Sequence, residues 1–279
     1  MTPAKQDHPR SLKIATWNVN SIRSRLDRVL DWLDRNDIDV LAIQETKCRD
    51  DQFPDERFVE HGYEVAHTGL SQWNGVAIVS RVGLTDVETS FPNQPGFDRD
   101  APDALLAMPV LDARAIAATC AGVRVWSLYV PNGRAQDDPH FQYKLDWLAA
   151  LRDNAASWLA ADPQAQIALC GDWNIAPQDD DVWSVDYYLD KTHISLPERA
   201  VFQSFVDAGY TDVVRPHTQG EFTYWDYTRL RFPRKEGMRI DFILAAPGLA
   251  PRVTTARIDR EERKGKGASD HAPVVVELG

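Results

Sequence analysis

The stretch Ile167-Ala168-Leu169-Cys170-Gly171-Asp172-Trp173-Asn174 decides how the rest of the chain is read. Four apolar residues closed by a glycine predict a buried strand that ends at a tight turn. Asp172 and Asn174 follow with one residue between them, and alternate residues of an extended chain face the same side. Both side chains can then address one spot, where a carboxylate orients water and an amide holds an anionic oxygen. The competing reading is an Asp-x-Asn turn that bonds its own backbone.

Working outward, other strands end in chemically suggestive residues. Arg239-Ile240-Asp241-Phe242-Ile243-Leu244 places Asp241 inside an apolar strand, where a carboxylate needs a partner. Ser269-Asp270-His271-Ala272-Pro273 precedes the final strand, Val274 to Glu277, and offers His271 as that partner; the competing reading is a satisfied structural histidine. Upstream, Arg114 to Thr119 and Arg124 to Val130 predict a hairpin about Ala121-Gly122. It delivers Tyr129 to a strand end, whether to a site or to solvent. Ile38 to Ile43 predicts another buried strand, left by Gln44-Glu45-Thr46-Lys47. Glu45 there suits a hard divalent cation, which prefers oxygen ligands, or pairs with Lys47 at the surface. Lys13 to Trp17 predicts the first strand, with Asn18 at its end, and Gly75 to Ser80 a further one.

Helices are expected at three places. Ser21 is a candidate cap for a helix with Ile22, Leu26, Val29, Leu30 and Leu33 on one face. Arg23, Arg25 and Arg28 lie off that face, either solvated or against phosphate. Asp138-Pro139 starts a second helix with Phe141, Leu145, Leu148, Leu151, Trp158 and Leu159 toward the core. Leu196 to Ala208 predicts a third. Residues 85–104, rich in Pro, Asp and Gly, predict a long surface loop. Asp179, Asp180 and Asp181 fit a helix start or a solvated loop and are not assigned as ligands. Phe222 to Tyr227 is aromatic and strand-like, and Arg229, Arg231, Arg234, Lys235 and Arg239 follow it. Basic residues interleaved with aromatics suit a nucleic-acid backbone, against the alternative of a solvated loop.

The chain has 279 residues, of which 43% are hydrophobic and 26% charged, an ordinary globular balance. No repeat or linker divides it, so the expectation is a loose leader over 1–11 and one α/β domain over 12–279. No apolar run approaches the ~18 residues of a membrane span, and Met1 to Arg10 is polar. A soluble, cytoplasmic protein without a membrane partner is expected. Cys48, Cys120 and Cys170 are too few and too scattered for a disulfide framework or zinc site, and the seven histidines form no metal-binding cluster. A net charge of −11 excludes nucleic-acid binding over the whole surface but leaves room for a local basic strip. Oxygen donors at strand ends beside basic residues suggest Mg²⁺ or Mn²⁺ and phosphodiester hydrolysis.

Six blocks now stand in order: Trp17-Asn18-Val19-Asn20, Gln44-Glu45-Thr46-Lys47, Tyr129-Val130-Pro131-Asn132-Gly133, Gly171-Asp172-Trp173-Asn174-Ile175-Ala176-Pro177, Arg239-Ile240-Asp241 and Ser269-Asp270-His271-Ala272-Pro273. The series resembles the exonuclease III family of bacterial apurinic/apyrimidinic (AP) endonucleases, within the endonuclease/exonuclease/phosphatase superfamily. The likeness covers nearly all of the chain after residue 11. It implies a four-layer α/β sandwich, two mixed sheets face to face and flanked by helices (DNase I-like). It also implies a monomeric Mg²⁺ enzyme, with Mn²⁺ able to substitute, acting on duplex DNA. The implied reactions are cleavage 5′ to abasic sites, 3′-to-5′ exonuclease action and 3′-end cleaning.

By the same resemblance, Glu45 ligates the metal with Asn18 close by and Asp270 assisting. Asp172 orients and deprotonates the attacking water. Asn174, Tyr129 and His271 hold the scissile phosphate, and Asp241 fixes and charges His271. Tyr224, Met238 and Ile240 stand where relatives wall an abasic slot, and Asn132-Gly133-Arg134 where they reach into the duplex. Arg134, with Arg229 and Arg231 of the basic strip, is therefore expected to contact DNA. The alternative is another phosphodiesterase or phosphatase of the superfamily, acting on RNA, inositol phosphates or lipid headgroups. The Gln-Glu-Thr-Lys block and the aromatic and basic stretch 222–239 favour DNA repair.

Overall fold

The computed structural model describes residues 11–97 and 109–279. Residues 1–10 of the expected leader and 98–104 of the expected loop lie outside the described residues. The strands are β1 (Leu12–Asn18), β2 (Val40–Gln44), β3 (Glu64–Thr68), β4 (Val76–Ser80), β5 (Thr85–Glu88), β6 (Ala115–Cys120), β7 (Val123–Tyr129), β8 (Ile167–Asp172), β9 (Thr211–Asp212), β10 (Asp241–Ala245), β11 (Val253–Ile258) and β12 (Val274–Leu278). The helices are α1 (Ile22–Asn36), α2 (Asp55–Glu60), α3 (Pro139–Ala161), α4 (Val185–Tyr188) and α5 (Leu196–Asp207).

The strands make two sheets, ordered β11-β12-β1-β2-β4-β3 and β5-β6-β7-β8-β10-β9. β1 runs parallel to β2 and β7 parallel to β8, and their other neighbours are antiparallel, so both sheets are mixed. Alternation along each strand divides its side chains between two faces. Ile14, Val40, Ala42, Val76, Ile78 and Val276 of one sheet meet Ile116, Ala118, Val125, Ala168, Cys170 and Ile243 of the other in a shared core. The opposite faces are covered by helices. Val29, Leu30, Trp32 and Leu33 of α1 pack on Ala15, Trp17, Leu41 and Ile43. Trp147, Leu148 and Leu151 of α3, with Phe202 and Phe205 of α5, pack on Trp126, Leu169 and Phe242. This is the expected four-layer sandwich.

Local signals explain most of the boundaries. Asp138 accepts the His140 N–H at 2.8 Å, with Pro139 opening α3. Ala121 and Gly122, at φ of 47° and 80°, form the two-residue turn between β6 and β7. All three cysteines are free and buried.

Four expectations need correction. Gly171 does not end its strand: β8 continues through Asp172, and a Cβ on Gly171 would stand 2.0 Å from the Leu128 carbonyl oxygen. The glycine is there because β7 passes too close for a side chain. Ser21 does not cap α1 through its side chain; its hydroxyl meets Ser24 at 3.1 Å, and its N–H donates to the Glu45 carbonyl at 2.7 Å. The 85–104 stretch is not all loop, since Thr85–Glu88 pairs at the sheet edge as β5. Phe222 to Tyr227 is no strand; Tyr224 makes only isolated bridges, to Met238 and His271. Trp225 is nevertheless buried in the core shared by the two sheets, with Phe222 packed against it.

Candidate active site

Strand register brings the candidate residues to one edge. Asn18 ends β1 opposite Gln44 of the parallel β2, and Glu45 follows. Tyr129 ends β7 opposite Asp172 of the parallel β8, and the antiparallel β10 begins there with Asp241 opposite Asp172. Asp270 and His271 precede β12, which runs against β1. They are tied to that edge by the Ser269 hydroxyl, which donates to the Asn18 carbonyl at 2.7 Å, and by Trp17 Nε1, which donates to the His271 carbonyl at 3.2 Å. Glu45, Tyr129, Asp172, Asn174, Asp270 and His271 thus line one cavity of about 160 Å³.

Asp172 satisfies both readings of its turn. Its Oδ1 accepts the Asn174 N–H at 3.0 Å, as an Asp-x-Asn turn requires, while Oδ2 accepts Asn18 Nδ2 at 2.9 Å. His271 Nε2 stands 3.9 Å from Oδ2. Burial raises the Asp172 carboxyl to about 7; His271 pulls it down, and Asp241 and Glu45 push it up. His271 Nδ1 lies 2.9 Å from Asp241 Oδ2, so Asp241 has the partner its burial demands. Burial works against the imidazolium, but Asp241 and Asp172 outweigh it and push the pKa up to about 10. His271 is therefore a cation whose Nε2–H faces the cavity.

Glu45 also satisfies both of its readings. Lys47 Nζ pairs with Oε2 at 2.8 Å, and Asn18 Nδ2 donates to Oε1 at 2.9 Å. Burial opposes its charge, yet Lys47 and Asn18 keep its pKa below the ordinary value. Glu45, Asp172 and His271 place one ligand atom each within 4.8 Å of one another. A cationic imidazole has no lone pair to give, so the donors left for a cation are carboxylate oxygens. That set fits a hard divalent ion. Asn18 aims its amide N–H groups at both carboxylates while its Oδ1 accepts the Asn20 N–H at 3.0 Å. Its amide thereby orients the two carboxylates toward the cavity. Asp270 is held at the rim by Asn20 Nδ2 at 2.9 Å. Burial, with Glu45 beside it, raises the Tyr129 hydroxyl well above its ordinary value, so Tyr129 is a proton donor. The backbone is left-handed at Glu45, Asn174 and His193, a strained conformation that here gathers around one cavity.

The residues expected to meet DNA divide. Met238 and Ile240 are buried in the cavity wall, and Tyr224 leans on His271 with ring centroids 4.9 Å apart. Asn132 donates to Asn174 Oδ1 at 3.0 Å. Arg134 and Arg229 line a second cleft of about 390 Å³, which shares Asn132, His193, Tyr224 and Met238 with the first. Arg231 lines that cleft too, but it is buried, paired with Glu236 and stacked 4.5 Å from the Tyr187 ring centre. Arg239 leaves the basic strip altogether. It is buried between Asp181 and Asp212, which also removes Asp181 from the solvated acid run. Arg25 and Arg28 are not free solvated charges either: Arg25 donates to the Tyr227 hydroxyl at 2.9 Å and Arg28 to the Glu262 carbonyl at 2.7 Å.

Sequence reasoning missed His193, Lys144 and Glu198. His193 Nε2 meets Asn174 Oδ1 at 3.1 Å, and burial, with Lys144 nearby, pushes its pKa down to about 4. Nothing local distinguishes it. Lys144 carried a signal: it falls between Phe141 and Leu148 on the apolar face of α3.

Mixed sheets that converge carboxylates, amides and a charged imidazole on one edge cavity define the class of phosphoester hydrolases, and Glu45, Asp172 and His271 form a cluster able to hold a metal ion. The chain belongs to the endonuclease/exonuclease/phosphatase family, whose sequence profile matches residues 15–271. It is similar to a 3′ phosphatase from Neisseria, solved with product DNA hairpin, at 38% identity and a TM-score of 0.85 over 96% of this chain and 99% of that one. An AP endonuclease from Archaeoglobus fulgidus matches at 36% identity and a TM-score of 0.84, over 96% and 99%. An exodeoxyribonuclease of Bacillus subtilis is 27% identical over 94% of this chain and 98% of its own length. Within the family the chain is a hydrolytic nuclease of the exonuclease III and AP endonuclease type. Among the described residues, no helix is long and apolar enough to cross a membrane.

Proposed function

We propose that the protein is a DNA-repair phosphodiesterase that uses Mg²⁺ to hydrolyse duplex DNA 5′ to abasic sites and to trim and clean 3′ ends. One observation carries this reading: Asp172 is held by Asn18 and its own turn, faces a charged His271 and stands across from Glu45. A base, an oxyanion donor and a cation ligand then surround one point.

In the proposed reaction, Asp172 takes the proton of a water that attacks phosphorus, and the P–O3′ bond breaks, the departing O3′ taking a proton from solvent to become the 3′-hydroxyl. His271 Nε2–H and the Tyr129 hydroxyl donate to the phosphoryl oxygens as charge builds on them. Asn174 Nδ2 gives one N–H to the Val130 carbonyl at 3.0 Å and keeps the other for phosphate. Such preorganised donors stabilise the transition state more than the substrate, and losing one typically costs on the order of 10²–10³ in rate. Glu45 would hold the cation, with Asp172 and Asp270 near, at the expense of its contact with Lys47. When bound, Mg²⁺ neutralises charge on the phosphate. Met238, Ile240 and Tyr224 would receive the sugar, while Arg134 and Arg229 meet the flanking strand from the outer cleft. We place this work in the cytoplasm, in a monomer with one catalytic domain over 12–279.

A second reading, with 3′ ends as the main substrate, is favoured by the narrow cavity of about 160 Å³. A terminal phosphate leaves most of its strand outside such a pocket, whereas an internal site must admit sugars on both sides. The Neisseria relative supports it by being a 3′ phosphatase. The test uses a duplex with one abasic analogue, a duplex with a 3′-phosphate and an undamaged control. Each is assayed with Mg²⁺, with chelator and with Asp172→Asn. Cleavage is expected only with Mg²⁺ and to fall roughly 10²–10⁴-fold in the variant, as for loss of a general base. The ratio of the two products ranks the two readings. Failure to act on either duplex would overturn both and turn attention to phosphorylated small molecules or lipids.

A further inference from the structure

Lys144 of α3 and Glu198 of α5 have fully buried side chains and pair directly with each other. Burying two charges is costly, and a well-packed apolar pair of similar volume is often at least as stable. Their contacts indicate a different use. An ammonium has three N–H donors. Those of Lys144 reach Glu198, the Asn174 carbonyl at 2.6 Å and the Asn132 carbonyl at 3.2 Å. Glu198 Oε1 also accepts the His193 N–H at 2.8 Å, and its Oε2 accepts the Ser195 N–H at 3.1 Å.

The pair therefore grips the backbones of Asn132, Asn174 and His193, which come from three separate loops. The side chains of these same residues meet on the cavity side, where Asn174 Oδ1 accepts Asn132 Nδ2 at 3.0 Å and lies 3.1 Å from His193 Nε2. Asn174 holds a left-handed backbone at φ 49°, a conformation that persists only where its surroundings impose it. We propose that Lys144 and Glu198 are positioning residues that fix the Asn174 amide for the phosphate from behind the active site. The inference rests on the assignment of Asn174 to the phosphate made above.

The test is Lys144→Met combined with Glu198→Gln, which keeps volume and leaves no charge unpaired. On the substrate that wild type cleaves, kcat should fall about 10–100-fold, the usual cost of losing a supporting contact, with KM little changed. In an Asn174→Ala background the same pair should change kcat by less than about twofold, because the amide it positions is gone. Leu148→Ala, buried on the same helix and not lining the catalytic cavity, controls for stability: it should lower Tm and keep wild-type kcat. A folded double variant with wild-type kcat would overturn the proposal. So would an equal loss in the Asn174→Ala background, or an equal loss from Leu148→Ala. Where the double variant does not fold, Glu198→Gln alone carries the same comparison. A wild-type protein without phosphodiesterase activity would overturn the functional reading instead, while Asn174→Ala with full activity would overturn only the assignment beneath this inference.

Discussion

Asp241 is buried at the start of β10 with its carboxylate on His271, and the two form an ion pair. The sign of its effect follows. Asp241 raises the imidazole pKa and burial lowers it, so wild-type His271 stays protonated up to about 10. Asp241→Asn leaves burial without its main opponent. The alkaline limb of kcat/KM should then move down toward neutral pH, and the rate at pH 8 should drop on the order of 10²–10³-fold, the cost of a lost oxyanion donor. A pH–rate profile of the variant checks this, and an unmoved alkaline limb would detach His271 from the phosphate. At this scale the sequence was informative wherever a residue contradicted its surroundings. Asp241 stood out as a charge in an apolar strand, and Glu45 as a carboxylate at a strand end. His193 contradicted nothing around it, because what gives it a place at the cavity is contact with Asn174, 19 residues away in sequence.

Gly171 carries the argument at the scale of elements. The β7–β8 pairing sets Tyr129 beside Asp172, and the same close passage leaves no room for a Cβ at Gly171. Gly171→Ala should therefore push the two strands apart. The expected loss is roughly 1–3 kcal/mol, as for overpacking elsewhere, and it should come with reduced activity because both site residues sit on the displaced strands. Urea denaturation alongside a cleavage assay tests the pair of effects; a variant of unchanged stability would mean that β7 can yield. Most elements were legible from periodicity and end signals, as with α3 after Asp138-Pro139 and the hairpin at Ala121-Gly122. Short edge strands were not. β5 is exposed along its length and β9 has two residues, so neither carries the alternation that marks a half-buried strand. The aromatic run 222–227 has the composition of a strand, but Tyr224 bridges only to Met238 and His271, both outside the named strands, which composition cannot indicate.

Over the whole molecule, buried neutral histidines should set the acid limit of stability. Burial drives His67, His140 and His193 down to about 4, against Asp50 beside His67 and with help from Arg114 at His140 and Lys144 at His193. An unfolded histidine titrates near about 6.5, so between that value and about 4 the unfolded chain binds more protons than the native one. Their stabilisation is complete above about pH 6.5 and is lost as pH falls through the native values. Denaturant midpoints measured from pH 7 to 4 should decline across that window. His140→Phe, which also removes the acceptor of the Gly133 N–H at 3.2 Å, should lower stability at pH 7 yet flatten the decline. A variant with the wild-type slope would exclude His140 as a contributor. The sequence by itself determined the layered α/β class, the main strands and helices, and the residues that stand at strand ends, because these depend on local periodicity and on charges misplaced in apolar runs. Only the tertiary structure decided that Asn18 bridges two carboxylates, that Arg239 belongs to a buried ion pair and not to a basic surface, and that Lys144 with Glu198 grips three loops. Those outcomes depend on contacts between residues far apart in the chain, and register and packing in three dimensions choose such partners where local pattern cannot.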